Sequence, residues 1–211
     1  MSPTVFDPEC RACPRLAAFL DEVHQEYPEY FCRPVPAFGD ALASLLIVGL
    51  APGKHGANAS GRPFTGDYAG VLLYQTLYDY GFSSAPESVS ADDGLQLFNC
   101  RISNAVKCLP PENKPTTAEI NTCNQFLSVE LDAMPENGVL IALGSIAHNA
   151  ILKAQGLKLS AYKFGHGHEH ALPSGLRLID SYHCSRYNTQ TRRLTPDMFG
   201  EIFARAQKYL R

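Results

Sequence analysis

Ser44-Leu-Leu-Ile-Val-Gly-Leu50 is a continuous apolar run of strand length, and it opens into Gly49-Leu-Ala-Pro-Gly-Lys-His-Gly56, a loop of glycines, a proline and cations. Unbroken apolarity bounded by turn formers reads as a strand buried on both faces. Three more runs share this character, at 101–106 (RISNAV), 139–143 (VLIAL) and 176–181 (LRLIDS). Around them apolar residues recur at helical period over 15–27, 68–80, 117–134, 146–155 and 196–210. Two helix starts are marked: Thr116 with Glu119 forms a capping box, and Thr195 places a cap before Pro196. Strands alternating with helices specify an α/β fold, a three-layer α/β/α sandwich around a central, mainly parallel four-stranded sheet with right-handed crossovers.

The remaining segments fit one domain over 1–211 with an N-terminal segment of about 1–40. Proline-rich 28–40 reads as a linker from the first helix to the sheet, and 83–94 as an exposed loop. No internal repeat or low-complexity tract stands out. In open α/β sheets ligands bind beyond the carboxyl ends of the strands. The glycine loop follows the first strand, Asn104 lies near the end of the second, Gly144-Ser145 follows the third and His183 the fourth. The polar residues thus gather where the crevice belongs.

Composition narrows the class. Of 211 residues 45% are hydrophobic and 18% charged, enough for a substantial core, and no run reaches the roughly 18 apolar residues of a membrane span. The start, MSPTVFDPEC, has no charged region followed by an apolar one, so no secretory leader and no membrane association are expected. With 18 Lys+Arg against 21 Asp+Glu the charge is −3, and any hold on nucleic acid needs a local basic patch. Seven cysteines, an odd count in a chain that needs no staples, indicate a reducing compartment, by default the cytoplasm, and thiols kept for metal or chemistry.

The glycine loop is neither a P-loop nor a dinucleotide fingerprint. Gly49 and Gly53 enclose three residues, His55 follows Lys54, and no glycine stands two positions after Gly49. What remains is a loop suited to close backbone approach, followed by Gly61-Arg-Pro-Phe-Thr-Gly-Asp67, or an ordinary long surface loop. Cys10 and Cys13 form C-x-x-C, while Cys108 and Cys123 are a widely separated pair. Zinc sites usually pair two short knuckles, whereas an iron–sulfur cluster accepts ligands from scattered turns. Two buried thiols beside a chance C-x-x-C would leave the same pattern. Cys32, Cys100 and Cys184 have no metal-like spacing.

His166, His168 and His170 alternate, so in an extended segment they would share a face and could bind a metal, but no strand is marked there, and a solvated loop near a nucleic-acid surface is the favoured reading. His148, within a helical pattern, reads as a partly buried histidine. Finally, Ser181-Tyr-His-Cys-Ser-Arg-Tyr-Asn-Thr-Gln-Thr-Arg-Arg-Leu-Thr195 combines a histidine at a strand end with hydroxyls, amides and three arginines. Such groups suit phosphate and base contacts, and a polar loop leading to a helix cap is the plain alternative.

GLAPGKHG, GRPFTGD, SNAVKC with Cys123 downstream, and SYHCSRYNTQT together resemble the motifs of the uracil-DNA glycosylase superfamily, in particular its family five, or type b, members. The resemblance spans nearly the whole chain. It implies a [4Fe–4S] cluster on Cys10, Cys13, Cys108 and Cys123, and hydrolysis of the N-glycosidic bond of uracil and other deaminated or modified bases in DNA by a monofunctional, monomeric enzyme. It further implies that Phe64 stacks on the extrahelical base within a pocket formed by Gly49, Ala51 and Gly53. Asn104 would bond the base edge, His183 stabilise the leaving base, and Asp67 position or activate water. Ser185, Arg186, Asn188, Arg192 and Arg193 would face DNA.

This chain departs from its relatives in several places. Leu50 stands where the related four-cysteine family carries a glutamate, and Leu50 and Ala51 cannot polarise water, which leaves Asp67 as the nearest carboxylate. Cys184 replaces the usual proline after His183, and Arg193 replaces a small residue. Two other functions on the same residues are a non-catalytic damaged-DNA-binding module and an electron-transfer protein.

Overall fold

The computed structural model describes residues 6–210. Residues 1–5 and 211 lie outside the described residues, and with them the outer part of the expected segment 1–40 and of the start MSPTVFDPEC. The sheet is built from β1 (Phe38–Gly39), β2 (Leu45–Gly49), β3 (Cys100–Asn104), β4 (Val139–Leu143), β5 (Glu169–Ala171) and β6 (Arg177–Ser181), in the order β1-β3-β2-β4-β6-β5. β3, β2, β4 and β6 are parallel, and they are the four apolar runs of the sequence.

The expected four-stranded sheet is corrected to a mixed sheet of six, because β1 and β5 pair antiparallel on its two edges. Both edge strands are too short, at two and three residues, to leave an apolar run or a period-two pattern. β1 lies inside the expected linker and β5 inside the histidine tract.

Helices α1 (Pro14–Glu26), α2 (Ala57–Ser60), α3 (Tyr68–Asp79), α4 (Thr117–Asp132), α5 (Ser145–Ala154), α6 (Arg186–Gln190) and α7 (Pro196–Tyr209) complete the fold. Successive residues of a strand point to opposite faces, and the central strands use both. Leu45, Ile47, Ile141 and Ile179 pack with Leu73 and Leu77 of α3 and Phe199 and Phe203 of α7. Leu46, Val48, Leu140 and Leu178 pack on the other side with Leu127 of α4 and Ile151 of α5. The three layers follow directly. The capping box at Thr116 is formed in both directions, and Thr195 caps α7 through Met198 N–H. Among the described residues no helix is long and apolar enough to cross a membrane.

The segment 83–94 is largely exposed, as expected, and it is also anchored. Ser83 bridges to Leu97, and buried Arg62 donates to Asp93 Oδ1 at 2.7 Å and Ser88 Oγ at 2.9 Å. The guanidinium also lies 4.4 Å from the Phe38 ring centroid, so the loop is held against the edge strand. Arg62 belongs to GRPFTGD, and its anchor steadies the turn that carries Phe64.

Candidate active site

β2 lies between β3 and β4, so the chain leaves β2 to one side and later returns to its other side. Such a reversal opens a crevice at the carboxyl ends of the strands. A cavity of about 470 Å³ lies there, lined by Leu50, Ala51 and Gly53 after β2, by Phe64, Asp67, Tyr68 and Ala69, by Asn104 at the end of β3, and by His183, Ser185 and Arg186 after β6. Gly144-Ser145 does not line it; Gly144 packs behind His183.

Phe64 is buried and takes φ = 56°, a left-handed conformation rare for a bulky residue. The preceding residue is held from within the core, where Tyr74 Oη donates to Pro63 O at 2.8 Å. The Phe64 ring lies 6.0 Å from that of His183 at an interplanar angle of 28°. Asn104 is 3% exposed, and its Oδ1 is a buried acceptor with no hydrogen-bond partner. Buried acceptors of this kind are costly in the absence of a donor. Gly49 makes the site possible: a Cβ there would stand 2.4 Å from Asn104 Oδ1 and 2.6 Å from Phe64 Cζ.

Asp67 has two roles open to its two oxygens. Oδ1 caps α3 by accepting from Gly70 N–H at 2.9 Å. Oδ2 faces the glycine loop, where a Cβ on Gly56 would lie 2.8 Å away. Burial raises the carboxyl above its ordinary range against the backbone N–H groups of Gly70 and Ala69, which lower it. His183 is pushed down to about 4 by burial, so its imidazole is neutral at neutral pH and carries one N–H. Its carbonyl accepts from Asn188 Nδ2 at 2.8 Å, and Ser185 Oγ caps α6 by accepting from Asn188 N–H. Asn188 therefore braces the histidine loop with the amide that was expected to face DNA. Cys184 is fully buried in the core beneath this loop.

Of the three arginines only Arg186 reaches the cavity, with its guanidinium 4.9 Å from the Tyr68 ring centroid. Arg192 sits in the turn after α6 at φ = 55°, and Arg193 lies 4.5 Å from the Tyr182 ring centroid. All three are exposed, and among the described residues none forms an ion pair. Tyr68 and Asn113 also line the cavity and escaped the sequence reading. Tyr68 directly follows GRPFTGD, which was a usable signal; Asn113 stands in a turn at φ = 55° that offered none.

Cys10, Cys13, Cys108 and Cys123 converge on one small cavity between α1, the end of β3 and α4. Among the described residues no three of these sulfurs lie within 4.8 Å of one another. A tetrahedral zinc with Zn–S near 2.3 Å holds its sulfurs about 3.8 Å apart, closer than any three of these sulfurs stand together. Burial, with the neighbouring thiols, pushes Cys108 up to about 12; burial also pushes Cys123 to about 11 although Lys107 opposes it. Thiolates there need a cationic partner. Lys107 N–H donates to Cys123 Sγ at 3.2 Å, and its ammonium bonds Glu130 at 2.8 Å, facing away from the crevice. Lys54 is paired with Glu26 at 2.8 Å. Among the described residues no lysine lines the cavity.

The histidine tract is not the solvated loop expected. His168 is exposed, but His170 lies on β5 with Nε2 3.2 Å from Asp180, and His166 stacks on Tyr182 at 5.0 Å.

Comparison with known proteins bears on this geometry. A family model described as the uracil DNA glycosylase superfamily matches residues 36–207. A type-5 uracil-DNA glycosylase of Thermus thermophilus is 48% identical over 204 residues, covering 94% of this chain and 93% of its own. One from Pyrobaculum aerophilum is 41% identical over 201 residues, covering 93% of this chain and 87% of its own. A type-4 uracil-DNA glycosylase of Archaeoglobus fulgidus is 32% identical over 139 residues, covering 65% of this chain and 56% of its own.

Proposed function

This chain belongs to the uracil-DNA glycosylase superfamily, and from that membership and the crevice we propose that it is a hydrolase of DNA repair that cleaves the N-glycosidic bond of uracil in DNA. The observation that carries the reading is the orphaned Asn104 Oδ1 in a crevice shared with Phe64, Asp67 and His183. A base extruded from the duplex is read by hydrogen bonds to its edge and by stacking on an aromatic ring. Uracil brings an N–H donor to that acceptor. Cytosine presents a ring lone pair at the same edge and leaves the acceptor unsatisfied, so the rule that buried polar groups must be paired becomes selectivity. Hypoxanthine and xanthine also carry a ring N–H, and the small apolar lining of Leu50, Ala51 and Ala69 makes few polar demands of its own. A range of deaminated bases follows.

Glycosidic cleavage passes through an oxocarbenium-like state in which negative charge grows on the leaving base. Neutral His183 donates its N–H to that charge. Asp67, ionised, orients water and balances the cationic sugar. The lysine-free crevice supports hydrolysis that stops at the abasic site. The non-catalytic binding module gains nothing from this arrangement of Asp67 and His183. Duplex oligonucleotides bearing uracil, hypoxanthine, xanthine or hydroxymethyluracil, treated with alkali after incubation, test the reading. Strand breaks at uracil are expected, and intact uracil strands would overturn it.

Cys10, Cys13, Cys108 and Cys123 would hold a [4Fe–4S] cluster, whose contribution there is structural, joining the N-terminal segment to the end of β3 and to α4. Closing so long a loop stabilises the folded chain. Protein prepared without oxygen is expected to be brown, with about four iron and four sulfide per chain. Colourless protein with stoichiometric zinc would refute the assignment.

Arg186, Arg192 and Arg193 form the phosphate-facing patch that a chain of net charge −3 needs. Duplex affinity is expected to fall with salt, and three neutralised phosphates give a log–log slope of about −2 to −3. Replacing all three arginines should flatten that slope; an unchanged slope would locate DNA elsewhere. The enzyme works as a monomer in the cytoplasm on this reading.

A further inference from the structure

Asp180 is fully buried, one strand residue from the end of β6, and stands three positions before His183. Its carboxylate is surrounded by donors: His148 Nδ1 lies 2.7 Å from Oδ1, while His170 Nε2 at 3.2 Å and Gly165 N–H at 3.3 Å meet Oδ2. The second nitrogen of His148 lies 3.1 Å from the carbonyl oxygen of Tyr162. A carbonyl only accepts, so Nε2 carries a proton. Nδ1 faces a carboxylate and also needs a proton to bond it. Both ring nitrogens of His148 are then protonated, and a buried imidazolium pairs a buried carboxylate.

The backbone around this pair is held from the same side. Gly167 N–H donates to Asp180 O at 2.8 Å, Asp180 N–H to His168 O at 2.9 Å, and Tyr182 N–H to His166 Nδ1 at 3.1 Å. The histidine tract is thus a clamp along residues 180–182, the backbone that delivers His183 to the crevice. We propose that His148, Asp180 and His170 are positioning residues that fix the end of β6, so that His183 meets the leaving base. This inference rests on the glycosylase reading and on the role given there to His183.

A one-ångström displacement of a catalytic group costs up to about 10²-fold in rate. The titratable groups facing His148 are Asp180 of β6 and His170 of β5; Phe164 and Tyr162 supply rings and a carbonyl, and Lys153 of α5 bonds Asn121 instead. Burial lowers the basicity of His148, but the bond and charge of Asp180 outweigh it and raise the imidazole above its ordinary value. The sign is that of a histidine gaining a partner. The pair is complete below the ordinary histidine range and fails as pH rises through the raised value.

The primary test is nitrogen NMR of the imidazole rings in the intact protein at neutral pH. His148 is expected doubly protonated, and a neutral ring there would overturn the proposal. Titration with Co²⁺ serves as a second check, because a stoichiometric metal held by these nitrogens would replace the proton network with a metal site and also overturn it. Third, His148→Gln is expected to slow single-turnover uracil release by about ten- to a hundredfold, with duplex affinity unchanged and the alkaline fall of the parent's rate abolished. A merely structural residue would not remove that pH limb. If His148→Gln does not fold, His170→Leu against His170→Gln replaces it, with the amide of glutamine restoring the donor and the rate. Parent-like rates and pH profiles in the folded variants would refute the clamp. A slow His183→Ala alongside parent-like His148→Gln would sink this inference alone, whereas a parent-like His183→Ala would sink the role of His183 itself.

Discussion

Asp67→Asn keeps the fold and duplex affinity and loses about 10²-fold or more in single-turnover cleavage, the scale of removing a positioned general base. The substitution separates the two functions of one side chain. Asparagine caps helices as well as aspartate does, so the bond from Gly70 N–H to Oδ1 survives in the variant. The negative charge does not survive, and with it goes the group that orients water and balances the sugar. Parent-like cleavage would mean that water is activated elsewhere, with the glycosylase reading intact.

The pH dependence carries a second part of the same result. The active pair is ionised Asp67, whose affinity for a proton burial raises, with neutral His183, which burial pushes down to about 4. The rate should be flat through the ordinary histidine range near about 6.5, and on the acid side it should fall only as these two groups are protonated. A limb centred in that ordinary range would contradict a neutral, enclosed His183. Stability runs in the same sense for this histidine: between the two values the unfolded chain binds the extra proton, so acidification through that window weakens the fold.

The sheet core was legible because its four parallel strands are buried on both faces and therefore apolar at every position, as in Val139–Leu143. Edge strands β1 and β5 were not, because an edge strand of two or three residues is specified by its partner and not by its own pattern. Asn104 and His183 could be placed by topology alone, since the end of a parallel strand is where a ligand crevice opens. The pairing of His148 with Asp180 could not. A histidine in a helix and an aspartate in a strand, 32 residues apart, carry no periodic mark of each other until the helix packs on the sheet. Arg62 hides similarly: a charged residue in a glycine-rich loop looks solvated, and only the fold brings Asp93 to it.

Gly49→Ala is expected to abolish activity to a similar extent without adding or removing any polar group. Gly49 is the last residue of β2, in register with Asn104 across the parallel pair, and lies in extended backbone that alanine adopts freely. The cost is therefore one of space. A methyl group 2.4 Å from Asn104 Oδ1 and 2.6 Å from Phe64 Cζ must drive both side chains from their positions, and both are buried. The groups that read and stack the base move together, and about 10²-fold or more is lost in single turnover, while salt-dependent duplex binding through the exposed arginines persists. Asn104→Ala alone should act differently, relaxing discrimination between uracil and cytosine by removing the acceptor that needs a donor. The double variant decides whether Gly49 works through Asn104. If it does, truncating Asn104 removes one of the two collisions, and the losses combine to less than their product. Full multiplication of the two effects would show that Gly49 shapes some other part of the crevice.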